Sequence, residues 1–89
     1  MKLTKYSFTC PVCDQDFYTY ISQNQYKEIL DNKPMYDIFT NYPDDYKKML
    51  VTSICMHCLN TSRTICLPLN DEKDDDKLYR TIEEIEQNV

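Results

Sequence analysis

Four cysteines arranged as two C-x-x-C pairs have the clearest chemical potential in this chain. Cys10 is paired with Cys13 and Cys55 with Cys58, and two residues separate the members of each pair. This spacing lets one tight turn direct both sulfurs at a single ion, and two such turns supply the four ligands of a tetrahedral Zn²⁺ site. The sequence therefore predicts one structural zinc ion per chain, bound by Cys10, Cys13, Cys55 and Cys58, with iron as the less favoured metal.

A metal held by four protein ligands has no coordination position left for water or substrate. Lewis-acid or hydroxide chemistry is therefore not expected at this site. The rest of the chain adds no evident catalytic set, because it has one histidine, no glycine for a phosphate loop, and serines without an evident base. We predict that the protein is not an enzyme.

Two residues near the second pair invite a chemical role. His57 lies inside that pair, but the two cysteines already supply its sulfurs, so we expect the imidazole to be exposed at the turn or hydrogen-bonded to the backbone. Cys66 is the fifth cysteine, and we expect a core thiol because free cysteine packs as a small hydrophobic residue. Five is also an odd number, which disfavours a secreted disulfide framework.

The length of 89 residues allows one domain, and a domain this small usually needs a staple such as a metal ion. No apolar run approaches the roughly 20 residues of a membrane span, and no signal-peptide pattern opens the sequence. We therefore expect no membrane association and a cytoplasmic location.

Charge is distributed unevenly along the chain. Residues 1–69 contain seven acids and seven bases, whereas residues 70–89 contain eight acids and three bases, which together give the net charge of −5. Nucleic-acid binding depends on a positive field, so we consider it unlikely. The alternative remains open, and its candidate phosphate contacts are Lys2, Lys5, Lys47, Lys48 and Arg63.

Residue patterns predict the secondary structure around the cysteines. Alternating aromatic and polar residues indicate strands over residues 5–9 and 16–21, a hairpin with the first pair at its tip. Ser22 is the expected cap of a helix over residues 23–31, and Pro43 opens a second short helix. Strands over residues 51–54 and 61–67 are expected to flank the second pair, which would repeat the hairpin.

The C-terminal region reads as an acidic linker followed by an amphipathic helix over residues 77–88. Its apolar stripe would pack on the body or on another chain, for example in a homodimer; the stripe consists of Leu78, Tyr79, Ile82, Ile85 and Val89. We therefore divide the chain into a zinc-ribbon-like body, residues 1–69, with a helical insert at about 22–50, and a tail, residues 70–89. The body is expected to fold without the tail.

The predicted fold is a small metal-stabilised α+β domain with zinc-ribbon-like β-hairpins, an inserted helical segment and a C-terminal amphipathic helix. Eight tyrosines are a high number for such a domain. Some are expected to be partly exposed, as in protein-binding surfaces, although ordinary core packing explains them equally well.

Two stretches resemble rubredoxin-like and zinc-ribbon proteins. The first is the sequence Phe-Thr-Cys-Pro-Val-Cys at residues 8–13 with aromatic residues at 17–18, and the second is Phe39 followed by Tyr-Pro-Asp-Asp-Tyr at residues 42–46. The layout is also similar to zinc-ribbon domains of uncharacterised bacterial and phage proteins. In the rubredoxin-like family glycine usually follows each cysteine pair, where the backbone is left-handed; here Asp14 and Leu59 stand at those places.

These observations favour a non-enzymatic, zinc-stabilised adaptor or inhibitor of bacterial or phage origin, with an acidic C-terminal tail. Its partner would be a protein of unidentified nature. One alternative is a rubredoxin-like iron electron-transfer protein, which the resemblance implies. The other is a nucleic-acid-associated zinc ribbon of the transcription-factor type.

Overall fold

The predicted hairpin is present and places the first cysteine pair between its two strands. In the computed structural model, which describes residues 2–88, β1 (Leu3–Thr9) pairs antiparallel with β2 (Asp16–Ser22). The pairing is unbroken from Leu3 opposite Ser22 to Thr9 opposite Asp16. The strand prediction for the first half of the chain is therefore confirmed.

One helix follows the hairpin directly, and a turn separates it from a second, shorter helix. The helix α1 (Gln23–Leu30) starts at Ser22 as predicted, because the Ser22 hydroxyl accepts from the Gln25 amide and the Gln25 side chain accepts from the Ser22 amide. This reciprocal pair is a capping box and satisfies two backbone donors at the helix start. After Pro34 the chain forms only one helical turn, α2 (Met35–Ile38).

The second half of the chain is helical where a second hairpin was expected. The helix α3 (Asp44–Thr52) starts after Pro43 as predicted but continues through residues 51–52, and Ser53 ends it with a left-handed φ of 63°. The second cysteine pair lies on a single turn, α4 (Met56–Leu59). The strand predictions for residues 51–54 and 61–66 are wrong, since only β3 (Leu67–Pro68) joins the sheet, beside β2.

The last helix, α5 (Asp75–Gln87), packs its apolar stripe on its own chain. It starts two residues earlier than predicted, and its buried apolar residues Leu78, Ile82 and Ile85 belong to the core. The Tyr79 ring contacts the Tyr20 ring of β2, with 5.0 Å between ring centroids. The described part of the stripe therefore packs within the chain; Val89, the last residue assigned to it, lies outside the described residues.

The core joins the sheet to all the longer helices. Among the largest fully buried side chains are Phe17, Tyr18, Ile21, Phe39, Tyr46, Met49, Ile65, Leu78 and Ile82. Of the eight tyrosines, Tyr18 and Tyr46 are fully buried, whereas Tyr36 has 65% of its surface exposed. Over residues 2–88 the structure has no helix of the length and apolarity that crossing a bilayer requires.

Candidate metal centre

The four sulfurs of the two cysteine pairs come together in one cluster. The Sγ atoms of Cys10, Cys13, Cys55 and Cys58 all lie within 4.8 Å of one another. Two of the distances are 3.8 Å, from Cys10 to Cys58 and from Cys13 to Cys55, so each joins one pair to the other. The cluster therefore links the hairpin to α4, which lies more than forty residues later in the chain.

The spacing of these sulfurs fits a tetrahedral metal ion. A Zn–S bond of about 2.3 Å gives a tetrahedron with edges of about 3.8 Å, which is the separation of the two closest sulfur pairs. All five cysteines are free thiols, so none of the four is joined to another by a disulfide. The structure thus shows a four-cysteine cluster at metal-binding distances; four sulfurs suit either zinc or iron.

The first pair is shaped by a left-handed residue at the turn. The Asp14 amide donates to the Cys10 carbonyl at 2.8 Å, and the Cys10 amide donates to the Gln15 carbonyl at 2.9 Å. Asp14 has φ of 57°, so it adopts the backbone conformation that glycine would provide. Aspartate tolerates this conformation better than most residues, because its short side chain can hydrogen-bond locally.

The second pair reaches a similar geometry with a shifted turn. Cys55 caps α4, and the Leu59 amide donates to the Cys55 carbonyl at 3.0 Å, which matches the bond between Asp14 and Cys10 in the first pair. Leu59 itself remains helical, and the left-handed residue is Asn60, with φ of 62°. Leucine is thus spared an unfavourable conformation, because asparagine takes it one position later.

Burial divides each pair into an inner and an outer cysteine. Cys10 and Cys55 have 0% and 1% of their surface exposed, whereas Cys13 and Cys58 are exposed. Burial raises the pKa of Cys10, but hydrogen bonds from the backbone of Cys55, Cys13 and Val12 outweigh it and bring the pKa to about 6. These donors favour the thiolate, which is the form that binds a metal.

The outer sulfurs have the opposite tendency. A hydrogen bond to the sulfur of Cys55, which favours the protonated thiol, and then burial raise the pKa of Cys58 to about 12. A divalent cation at the centre of the cluster would favour all four thiolates instead. The cluster is therefore compatible with a cation site.

The two additional residues have the positions expected from the sequence. His57 is exposed, lies outside the sulfur cluster, and packs its ring against Phe17 with 6.4 Å between centroids. Cys66 is buried, and its sulfur accepts a hydrogen bond from the Met56 amide at 3.4 Å. Burial raises the pKa of the Cys66 thiol to about 12, in keeping with a neutral core thiol beside the second pair.

A group of hydrogen bonds near the second cysteine pair is not predicted by the sequence. We call this group the brace; it joins Asp45 to Thr61 and Arg63. The Arg63 Nε donates to Asp45 Oδ2 at 3.0 Å, its Nη2 donates to the other carboxylate oxygen, and the Thr61 hydroxyl donates to Oδ2 at 2.9 Å. Burial acts to raise the pKa of Asp45, but these hydrogen bonds outweigh it and the pKa is lowered. The brace ties the start of α3 to the loop that follows α4.

The brace and two further ion pairs engage basic residues that the sequence suggests as candidate contacts to nucleic acid. Of the candidate phosphate contacts, Arg63 is bound to Asp45, Lys47 lies 3.9 Å from Asp44, and Lys5 lies 3.1 Å from Glu72. The Lys5 ammonium also sits 4.1 Å from the centre of the Tyr18 ring. Most of the positive charge proposed for nucleic-acid binding is thus compensated within the chain.

The chain matches no family model, no curated protein and no solved structure. The likeness to zinc ribbons therefore rests on the four-cysteine cluster, which is compatible with a zinc-ribbon-like site, and on the hairpin that carries its first half.

Proposed function

We propose that this protein is a non-enzymatic module, stabilised by one zinc ion, that binds another protein as an adaptor or inhibitor. The observation that carries the proposal is the sulfur cluster, in which the ligand atoms of four cysteines lie within 4.8 Å of one another and would supply every ligand of a tetrahedral ion. A metal in such a site has no open position for substrate, so its contribution is to the fold.

The position of the cluster explains why a metal would matter here. It joins the hairpin of the first half to α4 of the second half, which otherwise meet through a small core. Structural zinc contributes roughly 10 kcal/mol or more, as much as the whole stability of a typical domain. Because no disulfide joins any two of the five cysteines, we also propose a reducing compartment, the cytoplasm.

The helical insert offers the surface that best suits a protein partner. Leu30, at the end of α1, and Tyr36, in α2, each have 65% of their surface exposed, and the two helices contact each other. Exposed aromatic and aliphatic side chains on a rigid support are typical anchors of protein interfaces. We therefore place partner binding on this face, which we call the insert face, defined by Leu30 and Tyr36.

The acidic tail, residues 70–89, is a less suitable binding surface than the insert face. A tail of this kind could bind a partner by imitating the negative charge of a nucleic acid. Three acids of the tail are engaged within the chain: Tyr18 and Tyr20 donate to Asp75, Tyr42 donates to Glu86, and Glu72 is paired with Lys5. Three bases, Lys73, Lys77 and Arg80, are interleaved with the rest. The outer side of α5 is thus of mixed charge, unlike the continuous negative surface that mimicry of a nucleic acid needs.

Metal analysis tests the first part of the proposal. Purified protein is expected to be colourless and to contain one zinc per chain by elemental analysis, with unfolding on chelation seen by circular dichroism. A folded chain with no metal would contradict it.

Partner capture tests the second part. A double variant, Leu30→Ser with Tyr36→Ser, is compared with Val12→Ser, which also removes an exposed apolar side chain, 65% exposed, but at the first cysteine pair. We expect a partner that binds the unaltered protein at fixed stoichiometry to bind the Val12 variant equally and the double variant at least tenfold more weakly. Equal binding to all three would exclude the insert face.

One observation favours a second candidate function, electron transfer by iron. Cys13 and Cys58 are exposed residues and form the outer side of the cluster, which is where electrons would enter or leave. A ferric tetrathiolate absorbs visible light and a zinc site does not, so an absorption spectrum together with metal analysis separates the two candidates.

A further inference from the structure

The outer edge of β1 is a long stretch of unpaired strand. β1 is the outer strand of the three-stranded sheet, so its backbone is paired with β2 on one side, and within residues 2–88 no strand pairs with the other. The strand has seven residues, contains no proline, and keeps its register without a bulge. It lacks two of the common features that protect an edge from pairing, a proline and a bulge.

The hydrogen bonds at the ends of the sheet show which backbone groups point outward. In antiparallel strands every second pair of facing residues is hydrogen-bonded. The bond from Cys10 N to Gln15 O shows that Cys10 and Gln15 form such a pair, so the pair before it, Thr9 and Asp16, does not. The bond from Leu69 N to Asp16 O agrees, because Asp16 faces β3 and its partner Thr9 therefore faces away. The outward N–H and C=O groups of β1 belong to Leu3, Lys5, Ser7 and Thr9.

The two outer edges of the hairpin differ in whether their outward backbone N–H and C=O groups have hydrogen-bond partners. On β2, the carbonyl of Tyr20 points away from β1 and accepts a 2.7 Å hydrogen bond from the Tyr46 hydroxyl. On β1, no backbone hydrogen bond from another part of residues 2–88 reaches the four outward residues. The molecule therefore covers one edge with a side chain and leaves the other available to a strand.

We propose that two copies of this chain pair through β1, antiparallel about a two-fold axis at Tyr6, and form one six-stranded sheet. In this register Lys5 lies opposite the partner's Ser7, and Leu3 lies opposite the partner's Thr9. In each of these pairs the backbone N–H and C=O groups of both residues point towards the other copy. The two strands can therefore form the regular hydrogen bonds of an antiparallel sheet. The proposal is independent of the protein-binding function proposed above.

The side chains favour a second copy over an unrelated strand. Tyr6 would face the partner's Tyr6 at a non-hydrogen-bonded position, where side chains approach most closely and aromatic pairs stabilise a sheet. This contact would continue an existing stack, since Tyr6 lies 6.3 Å from Phe8 and Phe8 lies 6.2 Å from Phe17. The Lys5 ammonium is already paired with Glu72 at 3.1 Å, so two copies of Lys5 would repel each other little.

Sedimentation of the zinc-loaded, full-length protein tests the proposal. A strand pair buries less than the roughly 1,000 Å² of a stable interface, so we expect rapid exchange between monomer and dimer over about 10 µM to about 1 mM. The mass should rise with concentration from 10.7 kDa towards twice that value. A mass that stays at the monomer value over this range would overturn the proposal, whether or not the protein binds a strand of another protein.

A variant and its control connect the dimer to β1. Ser7→Pro removes one outward N–H, which the monomer does not use, and proline is tolerated at such a position of an edge strand. We expect this variant to remain monomeric with unchanged zinc content and melting temperature, whereas Ser7→Thr, which keeps the N–H, should dimerise normally. Dimerisation of both variants alike would show that another surface is responsible, and the proposal would fail.

Hydrogen exchange gives a readout at single residues and does not depend on any variant. The amides of Lys5, Ser7 and Thr9 should exchange rapidly in dilute protein and at least tenfold more slowly in concentrated protein. The amides of Tyr6 and Phe8, which are already bonded to β2, should be protected at both concentrations. Equal exchange of Lys5 and Ser7 at the two concentrations would contradict pairing through β1.

Discussion

The Tyr18 hydroxyl donates a 2.6 Å hydrogen bond to the carboxylate of Asp75, which connects the centre of the sheet to the first turn of α5. Tyr20 donates to the same oxygen at 2.8 Å. The hydrogen bonds from Tyr18 and then Tyr20 lower the pKa of Asp75, so the carboxylate is held in its charged form. The sequence pattern places Asp75 in an acidic linker, whereas the structure places it in the first turn of α5, bound to the sheet.

We predict that Asp75→Ala lowers the free energy of unfolding by about 1–3 kcal/mol, because the hydroxyls of the buried Tyr18 and the half-buried Tyr20 lose their acceptor. Urea unfolding of the zinc-loaded protein at pH 7 measures the effect. Asp76→Ala is the control, since Asp76 lies in the same helical turn but is exposed. Equal effects of the two substitutions would show that the helix dipole, and not the tyrosine contact, explains the role of Asp75.

We predict that the C-terminal helix is needed for a stable body. Ile82→Ala should cost about 2–5 kcal/mol, because Ile82 has 0% of its surface exposed and its removal leaves a cavity. Gln87→Ala, on the exposed side of the same helix, should change stability by less than about 0.5 kcal/mol. Truncation after Asn70 removes three buried apolar residues and should give a chain without a cooperative thermal transition. A cooperatively folded truncation product would instead support the division of the chain at residue 70.

We predict that the four clustered cysteines and Cys66 respond differently to substitution. Cys55→Ser should lose zinc and unfold or nearly unfold, because binding of structural zinc is coupled to folding. Cys66→Ser should keep one zinc per chain and lose only about 1–2 kcal/mol, since its sulfur is outside the cluster but accepts a buried hydrogen bond. Elemental analysis and circular dichroism measure both outcomes. Loss of zinc from the Cys66 variant would place that thiol among the ligands.

We predict that Glu86→Gln is neutral or stabilising at pH 7 and above, by up to about 1 kcal/mol. Glu86 is buried, and its Oε1 atom has no hydrogen-bond partner within residues 2–88, although Tyr42 donates to Oε2 at 2.6 Å. Burial raises the pKa of Glu86, so the folded state binds the proton more tightly than the unfolded chain does. The contribution of Glu86 to stability is therefore greatest below its unfolded pKa and is lost as the pH rises through the folded pKa.

The corresponding measurement is the difference in unfolding free energy between Glu86→Gln and the unaltered protein. This difference should increase in favour of the variant as the pH is raised from about 5 to 8. Glu84→Gln removes an exposed charge from the same helix and should show no such trend. A difference that falls with rising pH would mean that the buried carboxylate is stabilised in its charged form.

We predict that Arg63→Ala destabilises the region around the second cysteine pair, Cys55 and Cys58. The loss of stability should be about 1 kcal/mol, because Arg63 is partly exposed and solvent screens its pair with Asp45. The larger effect should be faster transfer of zinc to a chelator, since the loop after α4 loses its attachment to α3. Lys48→Ala is the control, because it also removes an exposed positive charge, from α3, but leaves the contact between Asp45 and Arg63 intact. Equal rates of zinc transfer for the two variants would show that the brace does not help to retain the metal.

The first half of the structure could be predicted because its signals are local. Ser22 followed by Gln25 specifies a helix start within four residues, and alternating aromatic residues specify the strands on either side of the first pair. The clustering of the four cysteines could also be predicted, because only a shared site explains two such spacings. Their role as ligands remains a prediction that metal analysis decides.

The second half could not be predicted because its signals conflict or act over long distances. Val51 and Thr52 favour a strand, but burial of Met49 and Leu50 holds them in α3 until Ser53 ends the helix. The brace between Asp45 and Arg63 joins residues with no periodic relation, so neither side chain indicates its partner. Tertiary packing therefore decided this region against local preference.

Glycine is missing from this chain, and between residues 2 and 88 four other residues adopt left-handed backbone instead: Asp14, Asn32, Ser53 and Asn60. A chain without glycine has fewer conformations to lose when it folds, an effect of about 0.4–1 kcal/mol for each glycine replaced at a compatible site. The four left-handed positions are exceptions, because a side chain there has a steric cost that glycine would avoid. An unfolded chain of this composition therefore samples fewer backbone conformations before its four clustered cysteines come together again.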